Sequence, residues 1–153
     1  MTINKIYFTV PAKPVDLNGG KYVKYKAAGI NASEVPEPAN GPYNVIDGKK
    51  GTRWSASGSQ WIEFDIGSVK TVGLIGLGWY LGDGRNYRCR LEYSEDGQKY
   101  TVLSVFETSG TTDEIEYYEF KPFNARYIRL NCNGCQDSDW NSLDEFEVYS
   151  ESK

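Results

Sequence analysis

The chain has no histidine among its 153 residues and only one methionine. The first absence excludes Ser-His and Cys-His nucleophilic centres, His-ligated zinc, haem held through His and the ordinary imidazole pH switch. There is no run of 18 apolar residues, so no segment has the makeup of a membrane-spanning helix. The start, MTINKIYFTVPAKPV, lacks the long apolar stretch and small-residue cleavage site of a signal peptide. The expectation is therefore a cytosolic chain or a targeting segment outside this sequence. Cysteine is sparse: Cys89, Cys132 and Cys135 are an odd number, far below the density of a disulfide scaffold. Positive charge is in deficit, and a net charge of -4 argues against wholesale attraction to nucleic acid or to an anionic membrane.

What remains is an ordinary globular composition enriched in aromatics, with 12 Tyr and 4 Trp. The length is that of one domain, enough to bury about 68–70% of its unfolded surface. Alternating segments separated by turn signals recur, and no stretch sustains the apolar spacing of a helix, so the chain reads as all-β. In 86–94, Tyr87, Cys89, Leu91 and Tyr93 share one face, which makes Cys89 a buried small hydrophobe and not a reactive thiol. Further strands are expected at 60–66, 71–79, 99–107, 114–120, 125–132 and 142–149, and seven or eight such strands make a sandwich or jelly roll. Two connections exceed a hairpin: 27–59, with no clear strand, and the polar stretch 133–141. Residues 1–20 are expected to be a linker or an added edge strand, leaving 21–153 as the domain.

Two constellations carry chemistry. In 44–57, NVIDGKKGTRWSAS, Asp47 presents a carboxylate at a turn and Thr52 adds a hydroxyl and a carbonyl five residues later. Such a loop can wrap a hard cation in mixed oxygens, or it can be an Asp-Gly turn with Thr52 bonding its own backbone. The spacing leaves both open. Farther along, Trp79 and Tyr80 precede Asp83 and Arg85, so aromatic faces sit beside a forked cation. A sugar's apolar face stacks on an aromatic, while Arg donates paired hydrogen bonds to hydroxyls or a carboxylate. Trp140 and Asn141 would supply a second aromatic and an amide from the opposite loop. Each also has a structural reading: a Trp in the core, or Arg85 paired with Asp83 on the surface. Trp54 and Trp61 are assigned to the core. Cys132 and Cys135 have C-x2-C spacing, but no second pair or His completes four zinc ligands, which favours loop cysteines, bridged or free.

In combination, N-x-I-D-G-x-x-x-T-R-W-S, Q-W-I-E-F-D-I-G, G-x-x-R, Y-S-E-D-G-Q-K-Y, A-R-Y-I-R-L and N-S-L-D-E-F-E-V-Y resemble the discoidin, or coagulation factor type C, domains. Within them the chain is most similar to family 32 of the carbohydrate-binding modules, especially those attached to alginate lyases and related polysaccharide-degrading enzymes. The likeness runs in register from about Tyr25 to Tyr149. It implies a jelly-roll β-sandwich with a structural Ca2+ held by the carbonyls of Asn44 and Lys49, the Asp47 carboxylate, the carbonyl and hydroxyl of Thr52, the Asp144 carbonyl and the Glu145 carboxylate. One ion would then tie together two remote segments and order a long loop without a disulfide. It also implies a sugar site in the loops at one end, here Trp79, Tyr80, Asp83, Arg85, Trp140 and Asn141.

The chain departs from family members that place a His in a galactose site. An Arg-and-Asn site without His leans toward acidic, alginate-type uronates. The leading expectation is thus a non-catalytic module that holds a covalently linked enzyme, itself outside this chain, against a polysaccharide. It would be extracellular or at a cell surface, monomeric, and without a nucleic acid or membrane partner. The alternatives are a small polysaccharide lyase or glycosidase and a discoidin-type protein or lipid adhesion domain. For a glycosidase, 21 Asp and Glu make the carboxylate count uninformative.

Overall fold

The fold follows from strands that alternate inward and outward side chains over most of the chain. A computed structural model describes residues 7–8, 17, 19–34 and 38–151, the side chains of Tyr7, Phe8 and Pro38 excepted. Its strands are β1 (Tyr7–Phe8), β2 (Tyr22–Lys24), β3 (Gly29–Ala32), β4 (Trp54–Ser57), β5 (Gln60–Trp79), β6 (Tyr87–Ser94), β7 (Thr101–Glu107), β8 (Glu116–Cys135) and β9 (Trp140–Glu151). Short 3-10 turns at Pro38–Asn40 and Pro42–Ile46 lead into the segment before β4, and among the described residues there is no α-helix. Of residues 1–20, only Tyr7–Phe8, Leu17, Gly19 and Gly20 fall among the described residues. Tyr7 and Phe8 pair in parallel with Val105 and Phe106.

The strands expected separately at 60–66 and 71–79 are one long strand, β5, and those expected at 114–120 and 125–132 are one long strand, β8. β5 and β8 run antiparallel to each other through a register break between Asp65 and Lys70. The first half of β5 and the second half of β8 join β3, β6 and β7, while their other halves join β9, which also carries β2 and β4. Both strands thus pass from one layer to the other at a corner, as strands that switch sheets do. At the β5 corner Gly67 takes φ +103°, a left-handed region open to Gly, and donates its N–H to Asp65 Oδ1 at 2.8 Å.

The core lies between the layers, where Ile62, Phe64, Leu91, Ile128 and Leu130 meet Val72, Ile75, Leu77, Phe146 and Val148. Phe64 and Phe146 bring ring centroids to 5.6 Å. A second register break between Val72 and Leu74 resets the alternation, so Val72 and Ile75 both face inward while Leu74 joins Tyr22 and Tyr149 outside. Trp54 is fully buried as expected, but Trp61 is only half-buried and lies under the Arg129 guanidinium, 3.8 Å from the ring centroid. The three cysteines are free and buried. Cys132 and Cys135 belong to β8 instead of a loop, because the ladder continues through Tyr87↔Cys135.

Candidate functional site

At one end of the sandwich Arg53, just before β4, and Tyr80 and Arg85, from the β5–β6 connection, converge with Trp140 at the start of β9. They line a cleft of about 260 Å³ together with Asn40, Ser55, Ser138 and Ser142. The Arg53 guanidinium lies 4.0 Å from the Tyr80 ring centroid and that of Arg85 5.7 Å from the same ring. Each is oriented by a neutral hydroxyl: Arg53 Nε donates to Ser55 Oγ at 3.2 Å, and Arg85 Nη1 donates to Tyr87 OH at 3.1 Å. Ser55 Oγ lies 3.0 Å from Ser142 Oγ, and Tyr87 OH donates to the Tyr80 carbonyl at 2.8 Å. The Tyr87 hydrogen bond raises the Arg85 pKa further, so Arg85 carries its charge throughout the accessible range. Among the described residues neither arginine has an ion-pair partner. Trp140, 46% exposed, stands at the rim.

Several expected sugar contacts are corrected by this geometry. Trp79 is 1% exposed and stacks on Tyr87 at 4.4 Å and 18°, because it continues the inward face of Ile75 and Leu77. It therefore supports the cleft from below and offers no ring face to a ligand. Asn141 is fully buried: Nδ2 donates to the Ala56 and Gly58 carbonyls at 3.0 and 2.8 Å, and Oδ1 accepts the Gly134 N–H at 2.6 Å. It ties the β8–β9 turn to the end of β4. Asp83 is exposed and lies outside the cleft lining, with no ion pair to Arg85. Tyr80, Arg85 and Trp140 do come together. Sequence reasoning missed Arg53, which sits in the T-R-W-S motif, and missed Tyr87 as its counterpart's support.

The loops are preformed. Leu81 holds φ +53°, the one non-Gly residue in that region among those described, and a Cβ on Gly82 would meet the Thr112 carbonyl at 2.5 Å. Asn86 donates Nδ2 to the Thr108 carbonyl at 2.6 Å, and its N–H donates to Gln136 Oε1 at 2.8 Å. Three loops are thereby joined side to side.

The 44–52 loop leads into β4 and lies against Asp144 and Glu145 of β9. Thr52 Oγ1 donates to Asp47 Oδ2 at 2.6 Å and lies 3.2 Å from the Lys49 carbonyl, while Asn44 Nδ2 donates to the Ala39 and Arg53 carbonyls, each at 2.8 Å. A register break between Gly78 and Trp79 places Asp144 as the extra residue of β9 beside Glu145. Asp144 Oδ1 and Glu145 Oε2 are buried without a hydrogen-bond partner. Burial, then the nearby Asp47 carboxylate, pushes Glu145 up to about 7. Burial likewise pushes Asp144 up to about 6, against the opposing Gly51 N–H and Arg53 charge. Among the described residues no three His, Cys, Asp or Glu side chains form a metal cluster. The donors here are instead mixed carboxylate, hydroxyl and main-chain oxygens, and the orphaned Glu145 oxygen facing Asp47 fits a hard cation better than it fits an empty interior.

Residues 29–146 match the F5/8 type C domain family. A solved structure, the CBM32 of AlyQ in complex with 4,5-unsaturated mannuronic acid, is 37% identical, with 82% of this chain and 97% of that one covered and a TM-score of 0.78. The chain belongs to the F5/8 type C, or discoidin, family, as a family 32 carbohydrate-binding module. Truncated AlyQ with CBM32 and alginate lyase domains is 35% identical over 86% of this chain, TM-score 0.81, and the module spans 34% of that chain. A pectin binding carbohydrate binding module is 27% identical, covering 81% of this module and 91% of its own length, TM-score 0.78. Curated proteins return no match. The module's β-sandwich is thus that of non-catalytic sugar-binding relatives, and among the described residues no helix is long and apolar enough to cross a membrane.

Proposed function

We propose that the module binds acidic, uronate-type sugars of an alginate-like polysaccharide or its oligosaccharide products, in the cleft between Arg53, Tyr80, Arg85 and Trp140. The observation that carries this reading is the pair of guanidiniums on one Tyr ring, each oriented by a hydroxyl and neither matched to a carboxylate among the described residues. Two fixed forks of this kind suit a ligand carboxylate, because charge-assisted paired bonds are the strongest polar contacts available. Ser55, Ser138 and Ser142 offer hydroxyls to the sugar's own, and Trp140 offers a ring face at the rim. The likeness to a module solved with an unsaturated mannuronic acid supports the same ligand class.

In this reading the Asn44, Lys49, Thr52 and Asp144 main-chain oxygens, with Asp47, Thr52 and Glu145 side chains, hold a Ca2+. When bound, the ion supplies a cross-link between the 44–52 loop and β9. That link stiffens the β4–β9 pair, from which Ser55, Trp140 and Ser142 line the cleft. The module acts as a monomer outside the cell, tethering a polysaccharide-degrading enzyme to its substrate, where weak single-site binding is amplified by linkage. Isothermal titration with oligomannuronate, oligoguluronate, oligogalacturonate and a neutral galactoside tests it. Heat with an oligouronate is expected; no heat with any of the three acidic ligands contradicts the proposal.

A further inference from the structure

A second trough, of about 430 Å³, lies away from the cleft on the outer face of the other layer. The register sets a row of outward side chains across four adjacent strands: Trp61 on β5 opposite Asn131 on β8, Asn131 opposite Arg90 on β6, and Arg90 opposite Val105 on β7. At the usual strand spacing this row spans about 14 Å. Beside it lie Arg88, Asn133 and Glu107, all lining the trough. We infer that this trough is a second glycan-binding surface, taking an acidic oligosaccharide laid across the strands.

Three features argue for a sugar over other occupants. Trp61 lines the trough, and the Arg129 guanidinium, stacked 3.8 Å from its centroid, covers one ring face and fixes the ring's orientation. Asn133 supplies an amide whose orientation Ser59 Oγ fixes by donating to its Oδ1 at 3.1 Å, while Asn131, whose Nδ2 donates to the Arg90 carbonyl at 3.3 Å and to Glu92 Oε1 at 3.0 Å, leaves its Oδ1 to accept from a sugar hydroxyl. Arg88 places Nε and Nη2 on the Asn133 and Cys135 carbonyls at 3.1 and 3.3 Å, and no carboxylate pairs with it among the described residues. Its remaining N–H groups suit a ligand carboxylate. Glu107 on the wall would accept hydrogen bonds from sugar hydroxyls. Charge complementarity is local, since Arg90 is shared with Glu92 at 3.0 Å.

The test is a titration of isotopically labelled module with an alginate tetrasaccharide, followed by NMR. Resonances of the Trp61 indole and of the Asn131 and Asn133 amides are expected to shift, and to shift also in the Arg53→Ala/Arg85→Ala double variant, which removes the loop-end cleft. Arg88→Ala, an exposed change that leaves the core intact, is expected to weaken the trough response about tenfold, and Trp61→Phe to weaken it less. Shifts confined to the loop end, or a trough response unchanged by Arg88→Ala, would overturn the inference. A trough response in the unsubstituted module with no shift at the loop end would instead count against the cleft alone.

Discussion

Two arginine–aromatic clusters in this molecule differ in the acceptors that their guanidiniums meet. On the outer face of one layer, Arg129 lies between Trp61 and Tyr100, at 3.8 and 4.4 Å from their centroids, and its Nε donates to the buried Glu63 carboxylate at 3.0 Å. Tyr100 OH donates to the same carboxylate. At the loop end Arg53 and Arg85 share the Tyr80 ring, yet their hydrogen bonds go to Ser55 and Tyr87 hydroxyls. The first cluster closes its charges internally. The second orients two charges toward the cleft, where the proposed function has them meet a carboxylate brought from outside. An arginine on an aromatic ring is therefore not by itself a binding signature; the identity of its acceptor decides.

The contrast can be broken from either side. Arg53→Ala and Arg85→Ala should each lower uronate affinity by about tenfold to a hundredfold, roughly the loss of a charge-assisted pair, with unchanged unfolding by calorimetry. Arg129→Ala should do the reverse, costing about 2–3 kcal/mol in urea unfolding by stranding buried Glu63, while leaving the loop-end affinity as it was. Chelation with EDTA should lower both Tm and uronate affinity, because the 44–52 loop and the cleft share β4 and β9.

The chelated protein should also show a distinct pH dependence. The folded Glu145 carboxyl sits at about 7, above its ordinary value of 4.5. A folded state that holds its proton more tightly is favoured below the unfolded value and loses that advantage as pH rises through about 7. The metal-free Tm should therefore fall as pH rises from 5 to 8, and added Ca2+ should abolish the fall. The smallest effect is expected at the rim: Trp140→Ala should weaken binding only about two- to tenfold, since a half-exposed ring contributes one stacking contact.

The sandwich was legible because alternation is a local property, and 87–93 needed no partner to reveal its buried face. The corners of β5 and β8 were not, since a strand that breaks register between Asp65 and Lys70 and then resumes its ladder looks like two strands in sequence. Alternation also held the answer for Trp79: it completes the inward series Ile75, Leu77, Trp79, and adjacency to Tyr80 obscured this. Arg53 and Tyr80 stand 27 positions apart, and nothing local announces that β4 and the end of β5 flank the same residues of β9. Asn141 reads as a polar loop residue, and only its three buried hydrogen bonds identify it as a brace.

The central claim is that the loop-end cleft recognises a carboxylate. Calorimetric titration of the module with an oligomannuronate, and with the same oligomer after its carboxylates have been reduced to alcohols, tests it most directly. Binding to the acid form, abolished by reduction and weakened by raised salt, is the expected result; equal heats for the two forms would contradict it.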